Sequence, residues 1–439
     1  MIRDDFSDLS DIQQWNLKST DVGLGTVRSL ENVRLGQLSS HWYRSRLKTC
    51  LAATHKLTDI LLQQKEQIST NPYVTHADLE CVDSRYLLCG FNDGGVAIYD
   101  TFDRKKEYEF SEVSIVKGGQ RGSHKYQVDC VQWFPADAGL FVTSSHDKKV
   151  KIWNPNYMKP VDQFSIDCDV LHHHMSPVAT KHSLLSVSAE NGEVILYDMR
   201  NGSSSHRLQG HDGPVQITQW SPRNQHILMS GGRDHTVRMW DVRASRAYLM
   251  ALDMEIVPET SKFKKKSRNV PKAHNGRVTS LCFTHDGAWL LSFGYDGVLR
   301  LWDSATGKNM NVKYEGAHTD LERTIRMAVS HCTYPDLIFV PCKSKILVFE
   351  VLSGRLVNVL LGHYLSVLGV VHNPVSMDLY SIGSDYNFVI WVPKKLLRRN
   401  VSKEEEEDTV TINNAPVGTR ATQRRTLQAT QDTWSSDDD

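Results

Sequence analysis

Gly210-His211 and Asp234-His-Thr-Val-Arg238-Met-Trp240-Asp241, with the residues between them, form one repeat unit. A Gly-His pair precedes an alternating segment, a turn that carries Asp, and a short strand that ends in Trp-Asp. Two further units follow this plan, with His274, Asp296 and Trp302 in one and His363, Asp385 and Trp391 in the other. The Asp-to-Trp distance is six residues in all three units. The chain therefore contains an internal repeat.

The same offset of six residues identifies four weaker units. Their turn and anchor residues are Asp93 and Tyr99, Asp147 and Trp153, Asn191 and Tyr197, and Lys343 and Phe349. The seven anchors are separated by 54, 44, 43, 62, 47 and 42 residues. This period resembles that of WD repeats, which span about 40–45 residues and form the four-stranded blades of propellers. We therefore predict an all-β fold, a seven-bladed WD-repeat β-propeller over residues 69–393.

The resemblance to WD repeats also implies a structural role for the repeated polar residues. In such repeats the His, a Ser or Thr, the turn Asp and the Trp form a buried hydrogen-bonded network within the blade. The residues concerned are His211, Asp234, Trp240, His274, Asp296, Trp302, His363, Asp385 and Trp391, with Ser230 and Ser292 as hydroxyl donors. Burying such groups without partners is costly. We interpret them as structural and not catalytic.

The last repeat lacks a fourth strand of its own. After Trp391-Val-Pro393 the chain continues with Lys394-Lys-Leu-Leu-Arg-Arg399, which does not resemble a strand. An open sheet edge promotes aggregation. We predict that a segment upstream of the first blade, within residues 67–76, supplies the missing strand and closes the ring.

Residues 34–68 show helical spacing of apolar residues, among them Leu35, Leu38, Trp42, Leu47 and Leu51. We predict a helical arm here, with Ser39 or Ser40 as the cap of its first helix. The arm either packs on its own propeller or inserts into another protein. Residues 1–33 are polar and aperiodic and are predicted to be disordered.

Residues 394–439 are predicted to form a disordered tail, because the chain from Lys403 onward is acidic and poor in apolar residues. The tail ends in Trp434, Ser435, Ser436 and three aspartates, and an isolated Trp of this kind is a candidate docking motif. The insertion at 245–272 carries a basic run at 262–268. It is either a solvated loop or a nuclear import signal.

Composition excludes several classes of protein. The 439 residues carry no net formal charge, and 40% of them are hydrophobic. Eight scattered cysteines without a Cys-x-x-Cys pair indicate reduced thiols. No Walker loop or Gly-x-Ser-x-Gly motif is present, and His172-His173-His174 would alternate between the two faces of a strand. We predict no catalytic residues, no cofactor and no metal ligands, although a hydrolase grafted on a propeller is an alternative.

The fourth unit carries two placed arginines, in Asp234-His-Thr-Val-Arg238-Met-Trp240-Asp241-Val-Arg243. Arg243 falls in the turn on the narrow bottom of the propeller, where a guanidinium can donate bidentate hydrogen bonds to a partner. The segment resembles the Asp-x-x-x-Arg-x-Trp-Asp-x-Arg motif of substrate receptors for cullin-RING ubiquitin ligases. The resemblance assigns Arg238, Asp241 and Arg243 to adaptor binding.

Longer stretches resemble the Cockayne syndrome group A family of such receptors. They are Arg85-Tyr-Leu-Leu-Cys-Gly, Val131-Gln-Trp-Phe-Pro, His173-His-Met-Ser-Pro-Val-Ala-Thr-Lys-His182, Leu208-Gln-Gly-His, Trp240-Asp-Val-Arg-Ala-Ser245, Ala273-His-Asn-Gly-Arg-Val, Leu281-Cys-Phe-Thr, Leu361-Gly-His-Tyr364 and Trp434-Ser-Ser-Asp. The resemblance covers about residues 34–439. Residues 1–33 are extra relative to it, the run Glu404–Asp408 is distinctive, and the basic loop has no counterpart in it.

This resemblance implies a nuclear, non-catalytic receptor in transcription-coupled excision repair. The arm, through Leu35, Leu38, Trp42, Leu47 and Leu51, and the bottom of the propeller would bind the large propeller adaptor subunit of damaged-DNA-binding protein. The cullin and RING subunits would then transfer ubiquitin. RNA polymerase II and the Cockayne syndrome group B ATPase would be the partners on the other face. Neither membrane association nor sequence-specific binding of nucleic acid is expected.

The residue before each turn Asp should point towards the opening on the wide top of the ring. These positions hold Asn92, His146, Glu190, Arg233, Tyr295, Cys342 and Ser384. We predict that Asn92, His146, Arg233 and Tyr295 contact the partner, because Tyr and Arg are frequent hot spots. A WD-repeat scaffold for chromatin or RNA assembly, unrelated to ubiquitin, is the competing hypothesis.

Overall fold

Seven antiparallel sheets surround a central axis in the computed structural model, which describes residues 62–69, 72–106, 109–180, 182–244, 248–255, 270–319, 321–330 and 336–393. All regular structure in these ranges is β-strand. The prediction of an all-β, seven-bladed propeller is confirmed. The predicted extension 1–33, most of the predicted arm, the basic loop and the predicted tail lie outside the described residues.

In each blade the chain starts at the strand nearest the axis and continues outward. Blade seven differs in its outermost strand, β1, which comes from the chain upstream of blade one. Blade one contains β2 (Val74–Leu79), β3 (Tyr86–Phe91), β4 (Val96–Lys106) and β5 (Glu109–Val116). Blade two contains β6 (Val128–Trp133), β7 (Phe141–Ser145), β8 (Lys149–Asn154) and β9 (Lys159–Ser165). Blade three contains β10 (Val170–Met175), β11 (Leu184–Ala189), β12 (Glu193–Asp198) and β13 (Ser203–Gln209).

Blades four to seven contain β14 (Val215–Trp220), β15 (Ile227–Gly232), β16 (Val237–Asp241), β17 (Tyr248–Ala251); β18 (Val278–Phe283), β19 (Trp289–Gly294), β20 (Leu299–Asp303); β21 (Ala328–Val329), β22 (Leu337–Cys342), β23 (Lys345–Glu350), β24 (Leu356–Leu361); and β25 (Val367–His372), β26 (Leu379–Gly383), β27 (Asn387–Pro393) with β1 (Leu62–Ser69). In blade five a single bridge between Trp302 and Asn309 replaces a fourth strand among the described residues.

The hydrophobic core lies between the blades. Val131 and Trp133 on β6 pack against Leu88 and Ile98 of blade one, and all four side chains are buried. The strands are therefore apolar on both faces, which explains why the buried runs read as nearly continuous Val, Ile and Leu. Each such side chain contributes roughly 1.5–3 kcal/mol when it is fully buried. No blade could obtain this burial by itself.

Strand β1 closes the ring. It pairs antiparallel with β27 from Leu62 opposite Pro393 to Ser69 opposite Asn387. An upstream closing strand was predicted, but within 67–76, and residues 62–68 were assigned to the helical arm. Both boundaries are corrected, because Val74–Leu79 is the innermost strand of blade one. The segment Leu62-Gln-Gln-Lys-Glu-Gln-Ile-Ser69 has no alternation of apolar residues, since an outer strand is defined by backbone pairing and not by burial.

Besides the pairing of β1 with β27, the side chain of Arg326 connects blades across the ring near its axis. Arg326, in the segment before β21, forms a parallel bridge with Gly369 of blade seven. Its guanidinium passes over that strand to blade one, where it donates to the carbonyl of Ala77 and to Asp78 Oδ1, each at 2.5 Å. A Cβ at Gly369 would lie 3.1 Å from the Cβ of Arg326, so a larger residue would displace the arginine. This side chain joins two blades that are not neighbours.

Candidate functional site

Four blades contain a hydrogen-bonded tetrad. In blade four, Trp240 Nε1 donates to Ser230 Oγ at 2.7 Å, and that hydroxyl lies 2.7 Å from His211 Nε2. His211 Nδ1 lies 2.9 Å from Asp234 Oδ2. One tautomer satisfies every contact: Ser230 donates to Nε2, and Nδ1–H donates to the carboxylate. The structure assembles the corresponding residues of blades five and seven, with Ser292 and Ser381 as the hydroxyls.

The fourth tetrad was not predicted. His124, Thr143, Asp147 and Trp153 of blade two make the same contacts, with His124 Nε2 2.7 Å from Thr143 Oγ1. The sequence did carry a signal, because His124 precedes Trp153 by 29 residues, as His211 precedes Trp240. Ser123 stands before His124, whereas Gly or Ala precedes the histidine in the three predicted units.

Electrostatics fix the charge of the tetrad. Burial lowers the pKa of His211, and this outweighs its hydrogen bond to Asp234. Burial also opposes ionisation of Asp234, but the hydrogen bonds from His211 and from the amide of Asp212 lower the pKa of that carboxyl well below its usual range. The pair is therefore a neutral imidazole and a carboxylate at pH 7. Such a fully partnered group does structural work and has no free lone pair for catalysis.

Arg238 lies inside blade four and not on its bottom face. Only 7% of its side chain is exposed. The guanidinium lies 3.4 Å from Asp234 Oδ2, donates to Thr236 Oγ1 at 3.2 Å, and lies 5.6 Å from the ring centre of Tyr248. Direct contact with an adaptor is therefore corrected to a positioning role. In blade five Arg300 holds Asp296 in the same way, at 3.0 Å.

Arg243 does lie at the surface, in the turn after β16, with 60% of its side chain exposed. Its Nε and Nη2 donate to Asp241 Oδ1 and Oδ2 at 3.0 and 2.7 Å. This bidentate pair, the first cause of the lowered pKa of Asp241, holds the guanidinium in one orientation. Val242, between Asp241 and Arg243, donates from its amide to the carbonyl of His226. The carbonyl of the adjoining Gln225 lies 2.7 Å from His182 Nε2 of blade three. The bottom of blades three and four is thus a fixed platform.

The four predicted partner-face residues follow the second strands of blades one, two, four and five. Arg233 and Tyr295 are exposed, while Asn92 and His146 are half-buried. Tyr295 lies beneath the guanidinium of Arg277 at 5.1 Å. The remaining positions differ: Glu190 is exposed, Ser384 is half-buried, and Cys342 is buried and faces the interior. Cys342 is buried because the turn after β22 is one residue shorter, so that Cys342 itself pairs with Lys345.

His146 is held between two carboxylates. Its Nε2 lies 3.4 Å from Asp129 Oδ1, and its Nδ1 lies 3.6 Å from Asp169 Oδ2. Burial raises the pKa of Asp129 to about 6, although the charges of His146 and Arg323 oppose that change. Lys148 lies 4.0 Å from Asp169 at the same rim, and Arg277 pairs with Glu322 at 3.1 Å at the rim of blade five, so both rims carry both signs of charge. A partner on the top face meets both signs of charge.

Histidines line the central channel and tie neighbouring blades together. His76 Nδ1 accepts from the amide of Val131, and His174 Nδ1 accepts from the amide of Trp220. His173 Nδ1 lies 2.7 Å from Ser144 Oγ. The sequence suggested that three consecutive histidines face alternate sides, but it gave no sign that they would bond to other blades.

His76, Cys130 and His172 bring ligand atoms within 4.8 Å of one another, the closest approach to a metal site among the described residues. His172 Nδ1 has no hydrogen-bond partner there. The chemistry disfavours a cation nonetheless. Because His76 Nδ1 accepts from a backbone amide, its proton resides on Nε2, the atom 4.0 Å from the Cys130 sulfur. Burial also raises the pKa of the Cys130 thiol to about 12, and the charge of Arg326 lies nearby.

We expect the free energy of unfolding to fall as the pH falls below about 6.5. Burial lowers the pKa of His174 to about 3, as it does for His173, and the charge of Arg326 adds to the effect at His174. The unfolded chain therefore takes up protons first, and stability is lost between the unfolded and folded pKa values. Each such histidine contributes about 1.4 kcal/mol per pH unit in that window.

Urea unfolding of His174→Asn over this pH range measures the effect. The asparagine Oδ1 can still accept from the amide of Trp220 but does not titrate, so the slope should decrease by about one proton. His206→Asn, which makes the same substitution at an exposed position on β13, is the matched control. Equal slopes for the His174→Asn variant and the unmodified protein would contradict the argument.

The repeats match a known family model. Residues 119–154, 202–241 and 265–303 match the model described as WD domain, G-beta repeat. Three of the seven blades therefore match WD repeats. These three matched segments hold the tetrad Trp residues of blades two, four and five. No helix in the described part of the chain is both long and apolar enough to cross a membrane.

Three relatives are similar to this chain over different shares of its length. The WD repeat-containing protein ATCSA-1 of Arabidopsis thaliana is 28% identical over 86% of this chain and 97% of its own length. Radiation-sensitive protein 28 of Saccharomyces cerevisiae is 27% identical over 41% of this chain and 38% of its own. The transcriptional corepressor LEUNIG_HOMOLOG of Arabidopsis thaliana is 24% identical over 68% of this chain and 40% of its own. The similarity to ATCSA-1 alone among these spans nearly both chains.

Proposed function

We propose that this WD-repeat protein is the substrate-recognition subunit of a cullin-RING ubiquitin ligase that acts in transcription-coupled excision repair. The observation that carries the proposal is the exposed Arg243 guanidinium, held by Asp241 at the bottom of blade four. Nearly full-length similarity to ATCSA-1, together with the stretches that resemble the Cockayne syndrome group A family, supports the choice of ligase and pathway.

The two faces have separate tasks in this proposal. The bottom platform, with Asp241 and Arg243, and the arm carrying Leu35, Leu38, Trp42, Leu47 and Leu51 bind the large propeller adaptor of damaged-DNA-binding protein. The top, with Asn92, His146, Arg233 and Tyr295, binds RNA polymerase II or the Cockayne syndrome group B ATPase. The tail residues Trp434, Ser435 and Ser436 form an additional docking motif. The protein acts in the nucleus.

The mechanism is proximity and needs no catalytic group on this chain. The cullin and RING subunits transfer ubiquitin, and the receptor raises the effective concentration of the target near them. A closed ring suits this task, because it fixes the angle between its two faces. Arg238 contributes indirectly: by holding Asp234 it keeps β16 in place, and β16 ends at Asp241, which orients Arg243.

Arg243→Ala should weaken adaptor binding by about ten- to a hundredfold, because a charge-assisted hydrogen bond to the partner is lost. The side chain is largely exposed, so the unfolding transition should be unchanged. Titration calorimetry with purified adaptor measures the affinity. Arg200→Ala, in the equivalent turn of blade three, is the matched control, because Arg200 is also exposed but follows Tyr197-Asp198 and not Trp-Asp.

Deletion of residues 34–61 extends the same experiment to the arm and leaves the closing strand β1 intact. Adaptor binding should be lost while the propeller unfolds as before. Unchanged affinity in both the Arg243→Ala variant and the deletion would exclude the adaptor-binding role and favour the chromatin or RNA scaffold.

A further inference from the structure

One position at the outer edge of blade five lacks the backbone partner that it has in the other six blades. The position lies three residues before the anchor aromatic of each repeat. In six blades this residue pairs with one of the adjoining outer segment: Val96 with Val116, Val150 with Phe164, Val194 with Leu208, Val237 with Leu252, Ile346 with Leu360 and Phe388 with Ile68. In blade five the residue is Leu299, and no described segment pairs with its outer side.

The chain that follows β20 leaves this edge before it reaches Leu299. Met310 donates from its amide to the carbonyl of Leu301 at 2.9 Å, and Asn311, with a φ of 53°, then turns the chain away. Because outward-facing groups alternate along a strand, Leu299 is the next residue to present its amide and carbonyl to this edge. Unpaired edge groups of this kind are a template for a further strand.

The gap beside β20 is a cleft of about 400 Å³, a size typical of ligand pockets. On its blade-six side, Tyr314 packs edge-on against Phe349 with the ring centres 5.5 Å apart, and its hydroxyl donates to the carbonyl of Val351. Phe164 of blade two packs on Tyr197 of blade three in the corresponding place. A side chain therefore closes the core between blades five and six, while the backbone position beside β20 stays open in the described part of the chain.

The wall of the cleft towards blade four is formed by Met254 and Arg300. The guanidinium of Arg300 is already held by Asp296 at 3.0 Å, and its Nη2 lies 3.9 Å from the Met254 sulfur. This wall therefore offers a bound ligand an adaptable thioether surface.

We propose that blade five accepts an extended segment of a partner protein, which pairs antiparallel with β20 at Leu299 and completes the blade. Blade seven has a fourth strand from outside its own repeat, because β1 comes from the chain upstream of blade one. Main-chain hydrogen bonds hold such an added strand, and the pockets for alternate side chains select its sequence.

The two walls define the ligand. In an antiparallel pair the residue opposite Leu299 points to the same face as Leu299, where Tyr314 already fills the space. A small residue fits there, and the residues on either side of it point towards Met254, where apolar side chains fit. The segment therefore carries an apolar, small, apolar sequence. The inference is independent of the proposed function, because it uses neither the arm nor Arg243.

A synthetic peptide, acetyl-Lys-Thr-Val-Ala-Val-Thr-Lys-amide, tests the site by magnetic resonance on the isotope-labelled full chain. The amide resonance of Leu299 should shift saturably, with a dissociation constant on the order of 1 mM or lower. Its hydrogen exchange should slow about fivefold at a peptide concentration of about four times that constant, since one-fifth of the sites are then free. The amide of Ile346, which is already paired with Leu360 in blade six, should not change.

Two altered peptides test the register. Proline in place of the central alanine removes the N–H that would pair with the carbonyl of Leu299, so binding should be lost. Tryptophan at the same place would meet Tyr314 and should weaken binding about tenfold or more.

Met254→Gln should weaken binding of the alanine peptide about tenfold, because the valine side chains lose an apolar contact. Met250→Gln is the matched control and should bind normally, since Met250 is also half-buried but lies on β17, outside the cleft. Circular dichroism verifies that both variants are folded. No saturable shift at Leu299, equal binding of either altered peptide, or equal affinities of the two methionine variants would each overturn the proposal.

Discussion

Trp240→Ala is expected to reduce the free energy of unfolding by about 3–5 kcal/mol, because a buried aromatic side chain is removed and leaves a cavity. Trp240 is 1% exposed and packs against Leu196 and Val215 between blades three and four. It also donates to Ser230 Oγ at 2.7 Å. Urea unfolding followed by circular dichroism measures the loss, and a substantial decrease in the midpoint is expected.

Trp240→Phe separates packing from hydrogen bonding. Phenylalanine retains most of the apolar contact but cannot donate to Ser230, so a loss of about 1–3 kcal/mol is expected. Blade six already uses Phe349 at this position, buried completely and without the tetrad. Equal unfolding midpoints for Trp240→Ala and the unmodified protein would refute the structural assignment of the tetrad.

Arg326→Met should cost about 3 kcal/mol or more, because it leaves the carboxylate of Asp78 without its charged partner in the channel. Asp78 is the less exposed of the two, with 10% of its side chain accessible against 29% for Arg326. We therefore expect a loss of unfolding free energy near the lower end of the range for broken buried ion pairs. Differential scanning calorimetry measures the decrease in melting temperature, and amide exchange should increase first in β2 and β3.

Two further variants make that result specific. Arg326→Met combined with Asp78→Asn should cost less than the sum of the single changes, since the two side chains share one interaction. Arg277→Met is the matched control: Arg277 also forms an ion pair, with Glu322 at 3.1 Å, but that pair lies at the half-exposed rim. Additive costs for Arg326→Met and Asp78→Asn would show that the cross-ring tie is not energetically coupled.

The repeat was predictable because the same steric demand recurs in blades four, five and seven. Gly232, Gly294 and Gly383 precede the turn Asp by two residues, and a Cβ on any of them would approach the His-Asp pair of its tetrad to 2.7 Å or less. A fixed spacing of His, Gly, Asp and Trp therefore follows from geometry within one blade. Local sequence contains all that is needed to recognise it.

Contacts between distant blades left no such pattern. Arg326 and Asp78 are 248 residues apart, and nothing in the spacing of either residue indicates the other. β1 was partly assigned to a helix for a related reason, because an outer strand needs only backbone partners and tolerates a polar sequence. The placement of Arg238 inside the blade was missed because the motif describes residue types and not the direction of side chains.

The register of β1 against β27 has a mechanical consequence. Leu62, the first residue of one strand, lies opposite Pro393, the last residue of the other, so the two chain segments that leave the propeller start about 5 Å apart. Tension applied between them would load the ladder one hydrogen bond at a time, from Leu62 towards Ser69. Strands pulled in this peeling direction separate at lower force than strands pulled along their length. A propeller under such tension would thus yield first at blade seven.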